Sequence, residues 1–189
     1  MPRPSTSSPN PAPCDLRRSV RHLRDDVWST RGNRDAYTGK AKHVLASDVQ
    51  NVDHVLEVQL MEHAALPHSV GNREATDRLR EMVNSSMNLN VTSSRVNQSK
   101  RGPFTAALNR LKKRDGTLRE ICVEQLARAG RAGWLVDNGC WENIRKEVVK
   151  SYDHMEKDME ERRLTRAQSK IIDAIREDLH QTLNKIKIF

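Results

Sequence analysis

Near the C-terminus Ile172, Ile175, Leu179, Leu183 and Ile186 recur at spacings of three and four, which places all five on one face of an α-helix and on no single face of a strand. Trp141, Val148 and Met155 repeat the signal at sevenfold spacing one segment earlier. Beyond Gly116 the chain therefore reads as helix almost throughout. Stripes of this kind are buried in the chain's own core or in a seam with a partner helix, so a homodimer or a partner protein held through the C-terminal helices stays open on sequence alone. Leu16, Val20, Leu23 and Val27 predict a further amphipathic helix from Asp15 to about Ser29.

The middle of the chain breaks this rhythm. Arg34 to Lys42 reads as a turn around Gly39. Val49 to Val58 alternates loosely and predicts a short strand with Asp53 and His54 at its tip. Glu57 to Ala65 and Glu74 to Met82 read as helical, separated by Pro67, Gly71 and Asn72. Asn84 to Thr92 reads as a turn followed by a second short strand. From Ser93 the helical pattern resumes through Lys100, is challenged by Pro103, and ends at Asp115-Gly116. The expected fold class is α+β: a strand pair near residues 49–92 within a mostly α-helical chain. Residues 1–14 are Pro/Ser-rich with nothing apolar to bury and are expected to be a disordered tail. Residues 15–115 are expected to form the functional domain, with a helical insertion around residues 62–82, and 116–189 a helical C-terminal region.

Composition narrows the function classes. The chain has 33 Lys+Arg against 25 Asp+Glu in 189 residues, a formal net charge of +8, and only 36% hydrophobic residues. A small core and a basic surface suit a polyanionic partner such as nucleic acid, although a solvated basic face is the plainer reading of charge alone. Cys14, Cys122 and Cys140 are too scattered for a disulfide framework or a zinc knuckle. No apolar run approaches the ~20 residues of a membrane span, and residues 1–13 lack the apolar segment of a secretory signal. The expectation is a soluble, intracellular protein, nuclear or cytoplasmic, with no membrane partner. No HExxH occurs, so zinc-protease chemistry lacks its motif. Arg21-His22-Leu23-Arg24 matches a short Arg-x-Leu-Arg targeting pattern, but four residues inside a basic amphipathic segment are a chance match.

Five elements follow one another in a fixed order: Tyr37-Thr38-Gly39-Lys40, Asp53-His54, Asn88, Asn97 and Lys100-Arg101-Gly102. Taken singly, an Asp-His pair is usually a cap or surface pair and an Asn is usually turn chemistry. In this order, with Asn88 and Asn97 nine residues apart, the sequence resembles the HNH (His-Me finger) endonucleases, and within them the HNH domain of RNA-guided CRISPR effector nucleases. The segment Asn88 to Gly102, NLNVTSSRVNQSKRG, is similar to the tail of ordinary HNH domains without the zinc-knuckle cysteines. The resemblance covers about Asp35 to Gly102. It departs in the 34-position separation of His54 and Asn88, longer than in minimal HNH domains, and in a final ligand that is Asn97 rather than His, as in the CRISPR-type domains.

The resemblance implies a small ββα-metal core that hydrolyses phosphodiester bonds in DNA, with RNA not excluded, leaving a 5′-phosphate and a 3′-hydroxyl. A neutral His54 can take the proton of the attacking water, and Asp53 can offer a hard oxygen to a divalent cation. Mg²⁺ is the expected ion, with Mn²⁺ or Zn²⁺ as alternatives. Asn97 would be the second ligand, and Asn88, the middle residue of the HNH name, would tie together the loop that carries His54. Met82 to Arg114 contains no acidic residue and seven basic ones. Of these Arg95, Lys100, Arg101, Lys112 and Lys113 are the expected contacts to the nucleic-acid backbone, giving affinity without base specificity. His63 and His68 could approach the metal but read as structural. The rival readings are a non-catalytic nucleic-acid-binding protein on an HNH scaffold and a helical interaction protein.

Overall fold

The computed structural model describes residues 15–45, 49–68, 72–113, 121–161 and 165–189. The expected tail at 1–14, the break at Gly71 and the helix end at Asp115-Gly116 lie outside these residues. The chain is mostly helical around one small antiparallel sheet, an α+β arrangement in the broad sense. In order it runs α1 (Arg24–Thr30), β1 (Gln50–His54), α2 (Val58–Ala65), α3 (Arg73–Val83), β2 (Leu89–Ser93), α4 (Ser94–Lys112), α5 (Val123–Ala129), α6 (Gly133–Asp137), α7 (Cys140–Glu161) and α8 (Arg166–Lys185). Among the described residues, no helix is long and apolar enough to cross a membrane.

β1 and β2 pair with Gln50 opposite Ser93 and His54 opposite Leu89. The 33 residues between His54 and Asn88 hold α2 and α3. At the end of β2 the Ser93 hydroxyl accepts from the Val96 N–H at 3.3 Å, an N-cap that turns the chain directly into α4. α4 then runs uninterrupted through Pro103, where the sequence suggested a break. A proline clashes with the Cβ of the residue before it when that residue is helical, and here that residue is Gly102, which has none.

The N-terminal helix is shorter than its apolar spacing predicts. Leu16 and Val20 are buried as expected, but residues 15–20 are not helical. Their backbone is spent on tertiary bonds instead: Leu16 N–H donates to Glu62 Oε1 at 3.1 Å, and Leu16 C=O accepts from Asn84 Nδ2 at 2.8 Å. An i→i−4 ladder would have to compete with those partners.

One apolar cluster joins Leu16, Val58, Met61, Ala64 and Leu79 to Phe104, Trp141, Val148, Met155, Ile172, Ile175, Leu179, Leu183 and Ile186. Both C-terminal stripes thus face this chain's own core, and the regions expected before and after residue 115 share it. α7 carries a polar stripe beside its apolar one. Asn143, Glu147 and Ser151, four apart, reach respectively the Tyr37 carbonyl (3.0 Å), the Arg31 guanidinium (2.7 Å) and Asn88 Oδ1. Arg31 also donates to the Leu89 and Met87 carbonyls at 2.9 and 2.8 Å. The C-terminal half is therefore fastened to the segments that carry Asn88 and Tyr37.

Candidate active site

The Tyr37-Thr38-Gly39-Lys40 turn is anchored by a residue the motif reading passed over, Asp35, which is fully buried. Its Oδ1 accepts from Tyr37 N–H (3.0 Å) and Asn90 Nδ2 (2.7 Å), and its Oδ2 from the hydroxyls of Thr38 (2.6 Å) and Thr92 (2.9 Å). Four donors satisfy a carboxylate that burial would otherwise penalise heavily. Gly39 closes the turn with φ +70°, and its N–H donates to the Asp35 carbonyl at 2.8 Å. Two of the four donors come from β2, so the turn is pinned to the sheet. The Tyr37 hydroxyl is thereby aimed at Asp53 Oδ2, 2.7 Å away. Burial, then the Asp53 carboxylate, hold the Tyr37 phenol well above its ordinary pKa, so it acts only as a neutral donor.

Asp53 and His54 end β1 and are each 6% exposed. Lys100, expected at the nucleic-acid backbone, is instead wholly buried, with its Nζ 2.9 Å from Asp53 Oδ2, 2.7 Å from Glu57 Oε1 and 2.7 Å from the His54 carbonyl. Its position nearly two turns into α4, facing the sheet, turns the ammonium inward. Burial alone would lower the Lys100 pKa, but the two carboxylates outweigh it and hold the amine charged. For Asp53 burial is the largest influence and pushes its carboxyl up to about 6, against the opposing pull of Lys100. Both close contacts fall on Oδ2; among the described residues Oδ1 accepts no hydrogen bond.

Asn88 is fully buried and is bonded to the chain just past His54. Its backbone carbonyl accepts from Val55 N–H at 2.8 Å and its Oδ1 from Leu56 N–H at 2.8 Å, while its Nδ2 donates to the Val83 carbonyl at 2.7 Å. A second amide acts on His54 itself. Asn84 Nδ2 donates to the Leu16 and Arg80 carbonyls at 2.8 and 2.6 Å, which fixes the flip of the amide and turns Oδ1 toward His54 Nε2 at 3.0 Å. An amide oxygen only accepts, so neutral His54 carries its proton on Nε2 and leaves Nδ1 with a free lone pair. Burial keeps the imidazole pKa below its ordinary value, opposed by the Asn84 bond.

Asn97 lies on α4, partly exposed, three residues before Lys100 and so on the same side of the helix. Its amide makes no hydrogen bond among the described residues. A hard divalent cation takes oxygen donors, and neither Asp53 Oδ1 nor the Asn97 amide oxygen accepts a hydrogen bond among the described residues. Among the described residues no three His, Cys, Asp or Glu side chains converge as a metal-holding group. The expected pair is one carboxylate and one amide, which would leave most of the coordination shell to water and phosphate.

The other expected contacts divide. Arg101, Lys112 and Lys113 are exposed on α4 and at its end. Arg95 is exposed with its guanidinium 4.5 Å above the Trp134 ring. His68 Nε2 lies 2.7 Å from Asp178 of α8, and His63 lines a cavity with Lys112 and Leu66, so both stand apart from Asp53. Asp35, Glu57, Asn84 and Ser151 were missed by the sequence reading, and no local signal marks any of them. Compared with known proteins, the chain matches no family model, no curated protein and no solved structure.

Proposed function

We propose that this protein is a metal-dependent endonuclease of the HNH type that hydrolyses phosphodiester bonds in DNA, with residues 50–54, 89–93 and 94–112 as its ββα core. The observation that carries the reading is one buried corner. There Asp53 and His54 leave β1, Asn88 holds the peptide that follows them, and α4 crosses alongside with Asn97 and Lys100.

In this reading His54 Nδ1 accepts the proton of the attacking water, since Nε2 is already committed to Asn84. Asn84 and Asn88 hold the imidazole and its loop in place, so reorientation costs nothing at the moment of reaction. Asp53 Oδ1 and Asn97 would hold a divalent cation, Mg²⁺ by donor type, whose contribution is positive charge facing the phosphate as negative charge develops there. Tyr37 and Lys100 fix the Asp53 carboxylate by its other oxygen, and Lys100 with Glu57 leaves the cluster one negative charge in excess. Arg95, Arg101, Lys112 and Lys113 are free to meet the phosphate backbone.

A second reading, a nucleic-acid-binding protein that does not cut, is favoured by the same lysine. An ammonium 2.9 Å from Asp53 already neutralises the carboxylate the cation would use. Supercoiled plasmid and single-stranded DNA incubated with Mg²⁺, Mn²⁺ or EDTA, beside the His54→Ala variant, separate the two. The nuclease reading expects metal-dependent nicking that vanishes in the variant; equal binding by both proteins with no cutting by either would replace it with the binding reading.

A further inference from the structure

The far end of the sheet from His54 opens into a cleft of about 770 Å³ with Arg95 in its wall. Its walls include Thr38 and Lys40 of the anchored turn, Ser94 and Arg95 at the start of α4, and Trp134 and Asn138 in and just after α6. The volume falls in the range of sites for small organic ligands and is ample for one nucleotide. Among the described residues, those lining it include two cations and no carboxylate. Neither Lys40 nor Arg95 forms an ion pair among the described residues. Arg95 is also not free to wander, because its guanidinium is stacked 4.5 Å above the Trp134 ring. Stacking occupies the faces of a guanidinium and leaves its N–H edges for a phosphate, and the layered Arg–Trp pair is a platform on which a base can lie.

We infer that this cleft seats an unpaired nucleotide of single-stranded DNA, its phosphate held by Arg95 and Lys40 and its base stacked on the Arg95–Trp134 pair. A base-paired nucleotide has its faces covered by its neighbours and cannot enter. Ser93, which lines the cleft, pairs with Gln50, four residues from His54, so at ~3.3 Å per residue the cleft begins roughly 13 Å along the strand from the His54 backbone. A strand held there would pass the Asp53–His54 corner within a few nucleotides. The inference rests on the nucleic-acid part of the proposed function and not on hydrolysis.

The test is fluorescence anisotropy in EDTA with a labelled oligothymidylate and a duplex of the same length, on the full chain and on Arg95→Glu, Trp134→Leu, Lys40→Ala and His54→Ala. Loss of one base-stacking platform is worth about tenfold in affinity. Arg95→Glu and Trp134→Leu are expected to weaken oligothymidylate binding by about that factor or more, Lys40→Ala by less, and duplex binding by distinctly smaller factors. Arg95 is exposed, so its variant stays informative if Trp134→Leu fails to fold. No binding of oligothymidylate by the unaltered protein, unchanged binding in Arg95→Glu, or equal loss for duplex and single strand would overturn the inference. His54→Ala keeps the cleft: if the unaltered protein never cuts while only the cleft variants lose single-strand binding, the hydrolytic reading fails and the cleft stands, and cutting with binding indifferent to the cleft residues is the reverse.

Discussion

Asn84 Oδ1 lies 3.0 Å from His54 Nε2, and the two carbonyls that accept from Asn84 Nδ2 leave that oxygen no other way to face. Asn84→Ala frees the imidazole to change tautomer and to rotate. The expected result is a fall of about 10- to 100-fold in nicking rate, the usual scale for a partner one step removed from the chemistry, with DNA affinity nearly unchanged. Asn84→Asp keeps an acceptor toward Nε2 but sets its second oxygen against the Leu16 and Arg80 carbonyls, so little of the rate is expected to return. Single-turnover nicking measured beside anisotropy checks this, and an Asn84→Ala protein that cuts at the original rate would remove Asn84 from the mechanism.

Lys100 is the counter-ion of two buried carboxylates. Replacing it with Met keeps most of the apolar stem but leaves Asp53 and Glu57 facing each other without compensation. Breaking a buried pair by removing one partner costs about 3–5 kcal/mol, and a loss of that order is expected in urea unfolding. Adding Glu57→Gln to Lys100→Met is expected to restore part of it, because one of the stranded charges is gone. A Lys100→Met protein as stable as the original would mean the ammonium is not held as described.

Asn143, Glu147 and Ser151 fasten α7 to Tyr37, Arg31 and Asn88, and the apolar core runs through both halves of the chain. Unfolding is therefore expected as one cooperative transition, with helix content by circular dichroism and tryptophan fluorescence changing together. Trp28 reports on α1, and Trp134 and Trp141 on α6 and α7. Two separated transitions would contradict a shared core. Ser151→Ala, which removes one donor to Asn88 and leaves Leu56 N–H in place, is expected to cost about 0.5–1.5 kcal/mol.

His63 has its pKa held below the ordinary histidine value by burial, then by Lys112 and Lys185, with Asp178 opposing. The unfolded chain then binds a proton more readily than the folded one, so this residue lowers stability as pH falls below about 6.5. His54 acts in the same sense, while Asp53, raised to about 6, acts in the opposite one. The comparison of variants isolates the His63 share: His63→Gln is expected to lose less stability than the original protein between neutral and mildly acidic pH. Parallel stability curves for the two would show that His63 is not depressed.

Asp53, His54 and Asn88 could be picked out by order and spacing, because those properties are written along the chain. The groups they meet in the fold could not. Glu57, Asn84 and Ser151 lie 3, 30 and 97 positions from His54 and act through single hydrogen bonds that leave no periodic trace. Lys100 looked like one more basic residue of an exposed stretch, and only the crossing of α4 over β1 turns its ammonium into the protein. Residues 15–20 carry a helical apolar spacing, yet Glu62 and Asn84 bind their backbone in another conformation.

What the sequence determined by itself was the helical C-terminal half, the short strand pair and the basic balance, all of which follow from local spacing and composition. Tertiary structure alone decided which oxygen of Asp53 is engaged, which nitrogen of His54 carries the proton, and that α7 braces the corner from the far half of the chain. Those outcomes depend on which distant groups meet when the apolar faces are buried together, and burial is a property of the whole fold.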